Sequence, residues 1–160
     1  MADEKGPVVV VSSADELGKL VGAAKPTAEH EDRRVRSQHE LTLGDRVLRY
    51  TATAGTTRVQ LDEKPAVDLF HVSYVLDDGG PDRPVTFAFN GGPGSSSVWL
   101  HLGILGPNRV RVDVDRPAAL PGRLEPNPHT LLAHSDLVFI DPASTGHSRP
   151  SEGKGREYHG

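Results

Sequence analysis

Eight consecutive residues carry the clearest chemical content of this chain: Asn90-Gly91-Gly92-Pro93-Gly94-Ser95-Ser96-Ser97. Glycines let a backbone fold back on itself and leave its N–H groups uncovered. Pro93 removes freedom from the segment and so lowers the entropy cost of holding it in one shape. A helix beginning directly after such a loop adds partial positive charge from its first turn. A rigid set of free N–H donors suits an oxyanion developing in a transition state, where one donor is worth about 3 to 4 kcal/mol. The Gly92 N–H is a free backbone donor at the strand end, and the Asn90 side-chain amide can also donate.

Other chemistries fit parts of this loop. Gly92-x-Gly94-x-x-Ser97 lies close to a dinucleotide-binding fingerprint, but Ser replaces its third Gly and Pro sits inside the turn. No Walker lysine follows. A nucleotide-binding module is therefore one alternative, and a Gly-rich turn without chemistry is another. Asn90 can equally be a turn residue bonded to its own backbone.

The surrounding elements should position the loop. Pro84–Phe89 is a short, nearly continuous apolar run, as expected of a strand buried on both faces. Val98–Leu105 has the apolarity of a buried helix and is closed by Gly106-Pro107. Val110–Val114 alternates as a strand would. A Pro-rich stretch, residues 117–128, then leads to Asp136–Asp141, a second strand of buried type. Upstream, Gln38–Leu43, Val47–Thr53, Thr57–Leu61 and Ala66–Leu76 show period-two patterning. Gly44-Asp45, Ala54-Gly55 and Glu63-Lys64-Pro65 punctuate them, and Asp77-Asp78-Gly79-Gly80-Pro81 reads as a strong turn. The expected class is α/β, an antiparallel edge meander leading into a mostly parallel sheet. Residues 1–36 read as a lead-in, with Ser13-Ala14-Asp15-Glu16 able to cap a short helix.

Composition narrows the field. With 160 residues the chain has room for one domain. The net charge of −4 offers no basic stripe for phosphates, so no nucleic-acid partner is expected. Arg33, Arg34 and Arg36 follow acidic neighbours and read as a solvated segment. The absence of cysteine excludes disulfides and Cys-ligated metals. No run has the length of a membrane span, and the acidic start Met1-Ala2-Asp3-Glu4 does not resemble a signal peptide. A cytoplasmic location is the expectation. His30-Glu31 and His39-Glu40 do not complete a zinc-binding His-Glu-x-x-His, and His71 and His101 read as packing or surface residues.

Asn90 to Ser97 resembles the signature loop of the serine carboxypeptidase family, usually Asn-Gly-Gly-Pro-Gly-Cys-Ser-Ser. Leu105-Gly106-Pro107 is similar to that family's Leu-Gly-Pro. Asn127-Pro128 through Leu131-Leu132 looks like the segment before its next strand. Asp136-Leu137-Val138-Phe139-Ile140-Asp141-Pro142, with Thr145-Gly146 and Ser148, resembles the strand and turn that follow. The ordered matches span residues 84–150. The resemblance implies the N-terminal part of an α/β-hydrolase, covering 37–160, that hydrolyses peptides from the C-terminus through an acyl-enzyme. It implies the Gly92 N–H in the oxyanion hole, and Asn90 and Gly91 at the free C-terminal carboxylate of a peptide substrate. No cofactor and no metal are implied.

Two positions depart from the family pattern. Ala88 stands where a Trp is common, and Ile104 where a Glu often helps to hold the substrate carboxylate. Ser95 replaces the loop Cys, which fits a reducing compartment. A serine hydrolase also needs a nucleophile, normally in Gly-x-Ser-x-Gly, with an acid and a His later in the chain. That motif is missing; the nearest imitations, around Ser144 and Ser148, each lack one Gly. The expectation is a fragment ending before the nucleophile and inactive alone. Another serine hydrolase or acyltransferase of the same fold, or a non-catalytic interaction module, remain as alternatives. Asp141 ends a buried strand and is expected to support a turn.

Overall fold

The computed structural model describes residues 34–60, 66–91, 94–111 and 122–151. Its frame begins with a long hairpin. Strand β1 (Arg34–Leu43) and strand β2 (Arg46–Val59) pair antiparallel, with Leu43 opposite Arg46. The two residues between them are Gly44, at φ 62°, and Asp45. Gly at the first central position of a two-residue hairpin matches the right-handed twist of the flanking strands. Leu41 pairs with Leu48, and both are buried. Alternate residues Leu43, Tyr50 and Ala52 join them on the core face. Arg34 and Arg36 are exposed but belong to β1, so the ordered strand starts inside the expected lead-in. The short helix that Ser13-Ala14-Asp15-Glu16 could cap lies outside the described residues.

β2 differs from expectation. The sequence places a break between two strands at Ala54-Gly55, yet the 14-residue β2 runs straight through it. Gly55 is buried and pairs with Arg34 on one side and His71 on the other. Ladder bonds from two neighbours outweigh the weak local preference of one glycine. The expected break at Glu63-Lys64-Pro65 lies outside the described residues. Strand β3 (Val67–Leu76) pairs antiparallel with β2 over its whole length. The turn expected after it is present, with Gly80 at φ 74°.

The two apolar runs become strand β4 (Val85–Ala88) and, later, strand β7 (Asp136–Ile140), and they pair in parallel. The principal sheet has the order β1-β2-β3-β7-β4. Its core-facing side chains include Thr86 and Ala88 from β4 and Leu137 and Phe139 from β7. The alternate positions of these strands, such as Phe87 and Val138, are only half-buried. Burial on both faces was expected, and among the described residues only one face is fully covered. A short strand β8 (Arg149–Pro150) extends the sheet against Val67 and Asp68 of β3.

The connection from β4 to β7 carries the remaining elements. After the Gly-rich loop comes one helical turn, α1 (Val98–Leu100), which widens into a π-type turn over His101–Leu105. The widening is visible in the Gly106 N–H, which donates 3.0 Å to the His101 carbonyl five residues earlier. The sequence suggested a buried helix here; instead no residue of either turn is fully buried. Trp99 is 70% exposed and Ile104 59%. Strand β5 (Asn108–Val110) and strand β6 (Leu124–Pro126) form a separate two-stranded ribbon. β5 begins two residues earlier than the alternation suggested, and 112–114 lie outside the described residues. A 3-10 turn (Leu131–Ala133) then enters β7. The result is a mixed α/β arrangement, rich in strand and poor in helix.

At the head of the parallel pair, Arg83 Nε donates to Asp136 Oδ1 at 2.9 Å, and the same oxygen accepts the Leu76 N–H at 3.0 Å. Arg83 Nη2 also donates to the Leu132 carbonyl. This largely buried cluster fixes where β4 and β7 begin, and so where the loop after β4 emerges.

Candidate functional site: the Asn90–Ser97 loop and the turn after β7

Asn90 lies two residues beyond β4, and its Nδ2 donates to Ser95 Oγ at 2.9 Å. The amide therefore makes a contact across the loop. Gly91 is exposed. Gly92 and Pro93 lie outside the described residues, so the expected oxyanion donor is not described in geometric terms. Gly94 adopts φ 105°, a region that L side chains rarely enter, so a glycine is required there on backbone grounds.

The far end of the loop is fastened to the end of β7. Ser97 is buried, and its N–H donates to Asp141 Oδ1 at 2.9 Å. Its hydroxyl donates to the Ile140 carbonyl. Ser97 precedes the helical turn, where a serine normally caps a free N–H. Here the side chain makes no cap and reaches across to the strand instead. The Ser97 carbonyl accepts the His101 N–H at 2.9 Å and so starts the turn.

Asp141 is likewise buried. Its second oxygen, Oδ2, accepts the His147 N–H at 3.0 Å. Its carbonyl accepts the Ser148 hydroxyl at 2.7 Å, and Ser148 Oγ in turn accepts the Phe70 N–H at 2.8 Å. Both hydrogen-bonding roles of this fully buried hydroxyl are thus committed to backbone groups, which gives Ser148 a structural part rather than a nucleophilic one. Ser144, at φ 66°, is the third residue of a turn closed by Thr145 N–H to the Pro142 carbonyl at 3.0 Å. The expectation that Asp141 supports a turn is met, and it ties that turn to the loop as well.

The helical turns are held at their other end by residues whose role the sequence did not reveal. Asn127, fully buried, donates through Nδ2 to the carbonyls of Ile104 and Gly106, each at 2.8 Å. Its Oδ1 accepts the His129 N–H at 3.1 Å. Thr130 Oγ1 donates to the Leu105 carbonyl at 2.9 Å. The last carbonyls of a helical segment lack internal partners, and here two side chains supply them. An Asn and a Thr three residues apart were the only local signal. Gly106 is also needed sterically: a Cβ there would collide with the His101 carbonyl oxygen.

In the turn that follows the loop, His101 stacks on Phe139 with centroids 4.6 Å apart and planes at 24°. Its Nε2 lies 2.6 Å from the Tyr74 hydroxyl. Burial lowers the His101 pKa to about 4, against a smaller opposing pull from the Asp141 charge. Burial likewise pushes Tyr74 up to about 12, helped by Tyr50. Both rings are therefore neutral near pH 7, and of the two roles the sequence leaves to His101, packing or surface, the structure shows packing. Among the described residues no group of three or more His, Asp or Glu is placed to hold a metal ion. No helix among them is long and apolar enough to cross a membrane.

Taken together, these contacts clamp a Gly-rich loop between a parallel strand and a helical turn, with its far end held by a buried carboxylate. Such a loop can present backbone donors at little reorganisation cost. Comparison with known proteins places it in context. Residues 49–158 match the serine carboxypeptidase family model. The chain is 30% identical over 149 residues to carboxypeptidase Y of Schizosaccharomyces pombe, covering 92% of this chain and 13% of that protein. It is 38% identical over 92 residues to the pheromone-processing carboxypeptidase KEX1 of Saccharomyces cerevisiae, covering 54% of this chain and 12% of that protein. The chain thus spans about an eighth of the length of these relatives, and it belongs to the serine carboxypeptidase family.

Proposed function

We propose that this chain is the oxyanion-loop portion of a serine-type carboxypeptidase with an α/β-hydrolase fold. The Gly92 N–H stabilises the tetrahedral oxyanion, and Asn90 and Gly91 bind the terminal carboxylate of a peptide. The nucleophile, acid and base belong to sequence outside these 160 residues. The observation that carries the reading is the Asn90–Ser97 loop itself, lying between parallel-paired β4 and a helical turn within a family match over 49–158. The α/β-hydrolase assignment draws on the parallel β4–β7 pair flanked by antiparallel β3. The test is hydrolysis by the full-length protein of a peptide with a free C-terminus against the same peptide amidated. Preference for the free acid supports the reading.

A second reading has its own support. Ile104, at the place where relatives of this family often carry a Glu, is an exposed apolar side chain. Ala88, where a Trp is common, is buried in the core. An oxyanion loop serves any acyl transfer, whereas carboxylate recognition needs partners for a negative charge. A serine hydrolase or acyltransferase indifferent to a free C-terminus is the alternative. Equal turnover of acid and amide, or turnover of simple esters alone, would favour it.

A further inference from the structure

We propose that Asp141 is a positioning residue for the oxyanion loop; this rests on the reading of Asn90–Ser97 as that loop. Its two carboxylate oxygens serve two different segments. Oδ1 holds the loop's last residue through the Ser97 N–H at 2.9 Å, and Oδ2 holds the turn after β7 through the His147 N–H at 3.0 Å. A single buried anion thereby sets the loop against the strand end, and such charge-assisted bonds are short and directional.

The packing around it leaves no slack. Gly146 approaches so closely that a Cβ would overlap Asp141 Oδ2 and crowd the Asp141 Cγ. The same Cβ would stand 3.0 Å from the Ser96 Cβ. Gly146 also adopts φ 48°, which favours glycine. The turn therefore closes on the carboxylate and on the loop together, so a change at Gly146 reaches Ser96 and Asp141 at once. Two further ties do not involve the carboxylate: Ser97 Oγ to the Ile140 carbonyl, and Ser148 Oγ between Asp141 and Phe70. They should keep the strand end and the fold in place when the carboxylate is lost. What would be lost is the fixed position of the Ser97 backbone, five positions after Gly92 in the sequence.

Oxyanion stabilisation depends on where the donor stands when charge develops, while ground-state binding is more tolerant. A misplacement of about 1 Å costs on the order of 10²-fold in rate. Asp141→Ala in the full-length protein should therefore lower kcat by about 10²-fold with KM changed less than about threefold. Asp141→Asn retains one acceptor oxygen for two N–H donors and should give an intermediate fall. Gly146→Ala, which displaces the carboxylate without removing it, should resemble Asp141→Ala. Hydrogen exchange of the same proteins supplies a readout independent of turnover. Exchange in 95–100 should accelerate at least about tenfold in Asp141→Ala, by loss of the protecting bond, while β2 and β3 exchange as in the wild type. Unchanged exchange in 95–100 overturns the proposal, as does a rise in KM with kcat retained. Loss of protection across β2 and β3 in both Asp141→Asn and Gly146→Ala also overturns it, since the carboxylate would then be a folding element. A wild-type protein inactive on every acyl substrate removes the oxyanion reading and, with it, the effect of Asp141 on turnover. The exchange result then separates that failure from a failure of the tether.

Discussion

The Tyr74 hydroxyl and His101 Nε2 lie 2.6 Å apart, joining the middle of the antiparallel sheet to the turn that follows the Gly-rich loop. His101 titrates at about 4 in the folded chain because burial disfavours its charged form. The ordinary value for an unfolded His is about 6.5. As pH falls below about 6.5 the unfolded chain takes the proton first, so the contribution of this residue to stability declines until about pH 4 and is complete above pH 6.5. The shift sets an upper limit of about 3 kcal/mol, reduced by the ring's partial exposure. Urea midpoints at pH 7 and pH 4.5 should differ more for the wild-type chain than for His101→Gln. Equal differences would remove His101 as the source.

Arg83 and Asp136 form a largely buried pair that also engages Leu76 and Leu132. Removing one partner strands the other in a poorly solvated site. Arg83→Ala should destabilise the chain by about 3 kcal/mol, because the leftover carboxylate loses its counter-charge. Arg49→Ala, which breaks a solvent-screened, exposed pair with Glu40, should cost far less than the loss of Arg83. Denaturant unfolding of the two variants side by side provides the check, and similar losses would contradict the difference in burial.

Asn127 satisfies the carbonyls of Ile104 and Gly106 from a fully buried position. Asn127→Ala leaves both without that donor and frees the His129 N–H. Unsatisfied buried groups cost about 1 to 3 kcal/mol each, so a loss of roughly 3 kcal/mol is expected after relaxation and water entry. The Trp99 indole rides on the helical turn and is exposed, which makes its fluorescence a local reporter. Its emission should change in Asn127→Ala before the sheet unfolds. Simultaneous loss of both signals would mean that the turn has no stability of its own.

Much of this arrangement was legible in the sequence because the signals were local. The alternation of Leu41, Leu43, Leu48 and Tyr50 gave the hairpin, and Gly44-Asp45 gave its turn. The short apolar runs gave β4 and β7, and their parallel pairing followed from the loop and helix between them. Gly55 misled because a glycine inside a strand looks like a break until its neighbours on both sides are known. The apolarity of Val98–Leu105 suggested burial, whereas Trp99 and Ile104 face outward among the described residues. Apolarity alone does not say which surface a short helical turn will meet. The roles of Asn127 and Asp141 depend on contacts across 21 and 44 residues. No periodicity or spacing rule reaches that far. The family resemblance drew attention to both segments without revealing these bonds.

The most direct test concerns Gly92 in the full-length protein. Its N–H is the proposed oxyanion donor, and Gly92→Val should obstruct the loop while leaving the nucleophile, acid and base in place. Steady-state hydrolysis of a peptide with a free C-terminus should then show kcat reduced by about 10²- to 10³-fold, the loss associated with one oxyanion donor. Stoichiometric titration with an active-site phosphonate, together with an unchanged unfolding midpoint, would establish that the protein is folded. Retention of wild-type kcat in folded Gly92→Val would contradict the assignment of this loop to the oxyanion hole.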